Sequence, residues 1–464
     1  MTRAKSKPKS SPRLGRRSFL KLSGAAIAAT QFPHVWIPNQ AAAQACIGAA
    51  GTYKHLLFIR LNGGFRFPVA FNANVSGAYN PFGSASGVPS GVDWGVGQLL
   101  TRAGFLNDAL REAGMQPVHQ SADRITVMPT VDHEPTAPSA DGNHTTGLER
   151  YLTGYVNGEA GFFTRIYKGL ATCYEQDPLK LPPFVLGTSG MARGIGPWAP
   201  FRPPVLSGAT FDRFTGSAFD PDNPPWWTEM LERADQRMLE KQHPQARGVV
   251  DTYVQTRAAV QQYAAIFGSE ALKVQNNGTT PIDGISNQEL AAIFGNSSES
   301  TNVRLALRLF GFGCPAVYFD QGGYDYHSGE ENALPNAMER LNRLLSGLLA
   351  VLPRMQHPDG GTYWDHTIVV LGSEFSRTAR GQRFNSANGS DHTGDYSTRF
   401  MSMPFFGGPI AGGRVVGATT RASDLAPEGT RYSYRSVLNT LMDGLGCDPS
   451  VFFPASPGVP ELFS

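Results

Sequence analysis

The sequence is poor in cysteine. Its 464 residues hold four, Cys46, Cys173, Cys314 and Cys447, widely spaced and with no CxxC pair, which excludes a zinc ribbon. In an oxidising compartment they allow disulfides in several connectivities, and buried free thiols fit equally well. No apolar run approaches the roughly 20 residues that cross a bilayer. No basic stretch is interleaved with aromatic residues, so nucleic acid is not an expected partner. A serine-hydrolase elbow is missing too: residues 187–191 read Gly-Thr-Ser-Gly-Met, with the second glycine one place early for G-x-S-x-G.

Acidic residues are absent before Cys46, and that stretch is an export leader in pattern. Arg16-Arg17-Ser18-Phe19-Leu20-Lys21 is a twin-arginine motif, followed by a short apolar run over 22–29 and small residues at Ala41-Ala42-Ala43-Gln44-Ala45 that offer cleavage sites. Residues 1–45 are expected to be a removable signal, with the twin-arginine translocase as partner and a periplasmic or extracellular destination. Ala43-Gln44-Ala45 is a poor lipobox, so a lipid anchor on Cys46 is not expected. Eight of the 40 Lys and Arg precede Cys46, leaving 32 basic against 38 acidic residues in the remainder. The apparent basicity belongs to the leader.

About 420 residues then remain, enough for one large domain with insertions. Domain 46–464 is expected, with an insertion around 191–300. The periodicities predict strands over 55–61, 124–128 (cut by Pro129), 184–186, 314–320 and 367–371. They predict helices over 105–113, 147–153, 226–267, 303–310 and 333–354. Residues 72–98, 191–223 and 275–287 read as loop. The last strand, helix and strand of this series form a βαβ unit, so the fold class is α/β with a mostly parallel sheet.

Three polar clusters lie between residues 316 and 395. Asp325 and His327 follow Gly322-Gly323; Glu374 and Arg377 follow the strand 367–371; Asp391 and His392 sit in a loop of Asn, Ser and Gly. Two of them come just after the carboxyl ends of parallel strands, where open α/β sheets place their sites. Imidazole and carboxylate together suit zinc or manganese more than calcium. Each cluster alone also reads as structure: a helix cap and a solvated histidine, a Glu374–Arg377 pair, a solvated turn. His144-Thr145-Thr146 is a candidate nucleophile loop, with Thr145 as the hydroxyl beside the metal; there Asn143 or Thr145 as a plain helix cap is the competing reading.

In that order, the twin-arginine leader, the strand ending in Asn62-Gly63-Gly64, Gly-Gly-Tyr-Asp-Tyr-His, Ser-Glu-Phe-Ser-Arg-Thr and Ser-Asp-His-Thr-Gly resemble the bacterial domain-of-unknown-function 1501 family. The resemblance spans nearly the whole chain after the leader and is tightest over 303–417. That family is similar to the alkaline phosphatase and sulfatase superfamily, which implies an α/β/α sandwich with divalent metal at the carboxyl ends of the strands. Carried over by position, Asp325 and His327 would be one metal-binding pair, Glu374 a strand-end ligand, and His392 the late histidine, with Asp391 beside it. The His144-Thr145 loop would lie near the nucleophile. The chain departs from the pattern at Arg66, where an aspartate is common, and at Ser376, where a glycine is. One ion rather than two is therefore implied. Asn62 is left as a neutral oxygen ligand, and Arg66 or Arg377 as the group that binds a substrate anion. The resemblance implies an exported hydrolase of phosphate or sulfate esters, of small molecules or glycans. The alternative is a non-catalytic relative that keeps the fold and binds a glycan, a lipid or a protein.

Overall fold

The computed structural model of the chain describes residues 51–75, 80–133, 143–176, 181–206, 224–241, 243, 272, 274, 282–379, 388–392, 396–421 and 425–463. The leader and Cys46 lie outside the described residues. The chain divides into two compact units, residues 1–33 with 209–268, and residues 34–208 with 269–464. In the first, the described part is a helix over Pro225–Lys241 with Trp226, Met230 and Met238 exposed. The rest of the helix expected over 226–267 lies, His243 apart, outside the described residues.

The second unit is built on an eight-stranded sheet. Its strands are β1 (His55–Leu61), β2 (Ile125–Asp132), β3 (Phe184–Leu186), β4 (Val205–Leu206), β5 (Ala316–Gln321), β6 (Thr367–Gly372), β7 (Phe400–Phe406) and β8 (Tyr432–Ser433). Their order is β8-β2-β7-β6-β1-β5-β3-β4. All neighbours pair in parallel except β7, which is antiparallel to both β2 and β6. β1 and β6 are buried along their whole length, as continuous apolar runs in the middle of a sheet covered on both faces must be.

Alternation along β1 defines the two faces. His55 meets Phe310 on one side, in α4 (Ser298–Gly311), where α3 (Asn287–Phe294) packs against both α4 and α5 (Glu330–Val351). Phe58 meets Tyr151 and Phe162 on the other, belonging to α1 (His144–Thr153) and α2 (Phe162–Gly169), near α6 (Tyr434–Gly444). The expected α/β architecture with a mostly parallel sheet is therefore what the chain adopts. No described helix is long and apolar enough to cross a membrane.

Helices α2, α3 and α6 and strands β4 and β8 were not expected from the sequence, and three further elements differ from its reading. β2 runs through Pro129 instead of ending before it. Its register against β7 shifts between Met128 and Val131, so the proline falls in an irregularity where a ladder hydrogen bond is already interrupted. β7 was not foreseen, because its sequence Phe-Met-Ser-Met-Pro-Phe-Phe contains a proline and does not alternate. α5 starts three residues before the expected 333. Cys173 is disulfide-bonded, whereas Cys314 and Cys447 are free and buried; burial pushes both thiols up, which leaves them unreactive.

Beyond β2 stands His133, 3% exposed. Burial lowers its pKa from 6.5 to about 4, with Arg150 and Arg399 adding to the shift and Asp132 and the Thr398 backbone opposing it. The unfolded chain thus binds a proton between these two values and the folded chain does not, so stability must fall as pH drops through that window. The full shift is worth about 3 kcal/mol. In urea titrations at pH 7 and pH 4, the wild type is expected to lose about 2–3 kcal/mol more than a His133→Asn variant; equal losses would contradict this account.

Candidate metal centre

The site is assembled at one edge of the sheet from the ends of four strands. Asn62 follows β1, His144 and Thr145 open α1 after β2, Asp325 and His327 follow β5, and Glu374 and Arg377 follow β6. Asp391 and His392 precede β7. They reach the same edge because β7 runs antiparallel, so the start of β7 lies where the other strands end. A fully parallel sheet would have put them at the opposite end.

His144, His327 and His392 each offer one ring nitrogen, and these nitrogens lie within 4.8 Å of one another. The rings meet edge to face, His144 against His392 at 4.9 Å and His327 against His392 at 5.0 Å. The Phe375 ring backs both His144 and His392. Two carboxylates flank His144: Glu374 at 3.7 Å from Nδ1 and Asp325 at 3.7 Å from Nε2. Asp325 also stands 3.4 Å from His327 Nε2. Three imidazoles with two carboxylates is a donor set for a borderline divalent cation. The Nδ1 atom of His392 is buried and has no hydrogen-bond partner, an orphaned ligand atom of the kind a cation would satisfy. The residues present thus fit a divalent metal.

The two acids sit at different depths. Glu374 is 3% exposed. Burial opposes its charge, but the contact with His144, the Arg60 guanidinium and the Gly63 N–H, donating at 2.8 Å, together hold the carboxyl below its usual value. Asp325 is half exposed and accepts from Arg377 Nη2. His392 is pushed down by burial, then by Arg377, His144 and His327, which favours the neutral ring that ligates.

Gly63 and Gly64 make the close approach feasible. Both have positive φ, 114° and 79°. A Cβ on Gly63 would stand 2.7 Å from the Asp325 nitrogen, and one on Gly64 2.0 Å from the Phe375 ring. Only glycine serves at either place.

Other expected site residues are placed otherwise. Arg66 is 1% exposed and is not brought to the cluster. Its Nη1 donates to Glu330 at 2.7 Å, and Nε and Nη2 donate to the carbonyls of Thr378 and Ala379, each at 2.8 Å. The guanidinium is paired inside the protein with the Glu330 carboxylate instead of facing a substrate anion. Arg377 is wholly buried, donating to the carbonyls of Gly63, Gly64 and Ser390 as well as to Asp325. Asp391 uses Oδ1 on the backbone N–H of His392 at 2.8 Å and is not among the three grouped ligands. Asn62 is exposed. Asn143 caps α1 through Thr145 N and Thr146 N, so the cap expected there is present, and the Thr145 side chain is left exposed.

The roles of two contributors were not foreseen. Glu330 is the counter-charge of Arg66 and accepts from Ser390 Oγ at 3.1 Å. Ser373 accepts from Phe65 N and donates to the Leu61 carbonyl, tying β1 to β6 under the site. An acid in the first turn of a helix and a serine after a strand carry no sequence signal of such roles. Thr146, one residue past the nucleophile candidate, has a buried hydroxyl with no partner.

The family described as "Protein of unknown function (DUF1501)" matches residues 107–461. The chain belongs to that family. Its match takes in every grouped histidine and both carboxylates. Among curated proteins none matches this DUF1501 member. Among solved structures it is similar to the C-terminal periplasmic domain of EcEptC from Escherichia coli. The crystal structure in complex with Zn is 9% identical, covers 89% of this chain and 88% of that one, and gives a TM-score of 0.34. The structure without that complex is 8% identical, with the same coverage and TM-score. A likeness of that extent carries no argument about substrate or metal.

Arg66 and Glu330 are both about 1% exposed, so removing one leaves a buried charge unpaired. Glu330→Ala is expected to cost about 3–5 kcal/mol in urea unfolding, and the double variant Arg66→Met, Glu330→Leu clearly less. A cost under about 1 kcal/mol for the single variant would show that the pair is not closed in solution.

Proposed function

We propose that this DUF1501 protein is an exported, metal-dependent hydrolase of phosphate or sulfate esters that works with one divalent ion. The observation that supports this reading is the convergence of His144, His327 and His392, three nitrogens within 4.8 Å, with Asp325 and Glu374 at the strand-end edge of the sheet. His144, His327 and His392 would hold the ion, with Asp325 and Glu374 orienting the rings or completing the set. A bound divalent ion polarises an ester oxygen and lowers the pKa of a bound water or hydroxyl.

The chain's own groups supply the rest. Glu374 holds His144 by its Nδ1 side at 3.7 Å. Arg377 fixes Asp325 and, through the Ser390 carbonyl, the loop that carries His392. The N-terminal turn of α1 presents Thr145 to solvent at the positive end of a ten-residue helix, where a hydroxyl is best placed to attack and an anion is best received. The twin-arginine pattern in residues 1–45 supports an activity outside the cytoplasm, after export in folded form.

One observation favours a second reading, a binding protein without turnover. Arg66 and Arg377, the cations expected to meet the substrate anion, are both spent on internal carbonyls and carboxylates. The exposed cluster would then bind a metal or a glycan without hydrolysis.

Elemental analysis of protein exported by its own leader, with a panel of aryl phosphate and sulfate esters, separates the two. One zinc or manganese per chain with turnover is expected. Thr145→Ala should keep the metal and lose at least about 100-fold in kcat, the scale of a missing nucleophile or oxyanion contact, whereas His392→Ala should lose the metal. Bound metal without turnover selects the binding reading; no metal at all overturns both the ligand set and the hydrolase.

A further inference from the structure

We propose a second ligand site beside the Gly322-Gly323 turn that precedes Asp325 and His327: a cavity of about 190 Å3 that takes a small hydroxylated oxyanion bearing phosphate or carboxylate. The volume has room for about six waters.

Its lining comes from the end of α3 and the connection after it, from α4, β5 and α5, and the last three contribute the recognition groups. Gln321, the last residue of β5, lines the cavity while being 1% exposed. Its Oε1 atom is buried and has no hydrogen-bond partner. Turning the carboxamide over would put Nε2 in the same position, so either way a buried polar atom is left for a ligand to satisfy. A hydroxyl can meet both orientations, since it donates and accepts.

Arg340 and Arg343 of α5 supply the charge. Arg343 is held in place at the end of α3, where Nε and Nη2 donate to the carbonyls of Ile293 and Ala292 at 2.9 and 2.6 Å. Arg340 lies across the Gly322-Gly323 turn: its Nη2 is 3.0 Å from where a Cβ would stand on Gly323. Guanidinium groups match phosphate and carboxylate oxygens in geometry as well as charge.

The third wall is the N-terminal turn of α4, a fourteen-residue helix capped by Ser297, whose side chain accepts from Ser300 N at 3.2 Å. Its first N–H groups and its dipole add positive potential. Glu299 is the acid among the lining residues, so two guanidiniums and a helix end outweigh one carboxylate. The site shares no side chain with the histidine cluster and does not depend on the hydrolase reading.

Isothermal titration of the full exported chain with glycerate, glycerol 3-phosphate and inorganic phosphate tests this, in the wild type, in Arg340→Gln and in His392→Ala. A hydroxylated probe is expected to bind with Kd below about 1 mM in the wild type and equally in His392→Ala. Arg340→Gln, at an exposed position, should weaken binding at least about tenfold. Loss of binding in His392→Ala with retention in Arg340→Gln would place the ligand at the histidine cluster and overturn the proposal, as would absence of binding at about 10 mM probe. Inorganic phosphate binding as tightly as both hydroxylated probes would overturn the part given to Gln321.

Discussion

A single buried guanidinium holds the candidate site in register. Arg377 is fully covered, and a cation removed from water survives only if each of its donors finds an acceptor. Its partners are the carbonyls of Gly63 and Gly64, the Ser390 carbonyl and the Asp325 carboxylate. Those groups belong to three separate connections, after β1, after β5 and before β7. The same residue that neutralises itself therefore sets the distances between Asp325, the His392 loop and the strand that ends beside Glu374. A second buried cation, Arg66, repeats the device behind it, joining the chain after β1 to α5 through Glu330 and to residues 378 and 379 through their carbonyls.

Arg66 stands where the sequence resemblance implied an aspartate, and its side chain lies in the interior, away from the cluster. There the arginine makes an ion pair. The Arg66–Glu330 pair ties the chain after β1 to α5, and the three-histidine group is the one such group among the described residues.

Much of the frame could be read from the sequence. Continuous apolar runs such as 55–61 and 367–371 have no fate other than the middle of a covered parallel sheet, and polar residues after such runs fall at the edge where loops converge. His327 was singled out on that ground, His392 from its loop of Asn, Ser and Gly, and His144 only as part of a nucleophile loop; the structure groups the three rings. What stayed hidden depends on direction and depth. The sign of β7 decides on which edge His392 stands, and a strand with Ser402 and Pro404 in it does not announce itself. Nor does a formula of residue types tell an arginine that faces an anion from one that faces carbonyls. Arg66 and Arg377 differ from exposed arginines only in what is packed around them.

The place of β1 in the sheet carries a consequence for the order of assembly. It is the first strand made, yet both of its neighbours, β5 and β6, come from residues 316–321 and 367–372. The contacts between Gly63 and Arg377 span 314 positions. Closing so long a loop is slow compared with local structure. The emerging chain must therefore keep β1 unpaired until its last third is available, and the histidine cluster is among the last features of the molecule to form. A binding partner or chaperone that acted during synthesis would meet an apolar strand waiting for its neighbours, not a finished site.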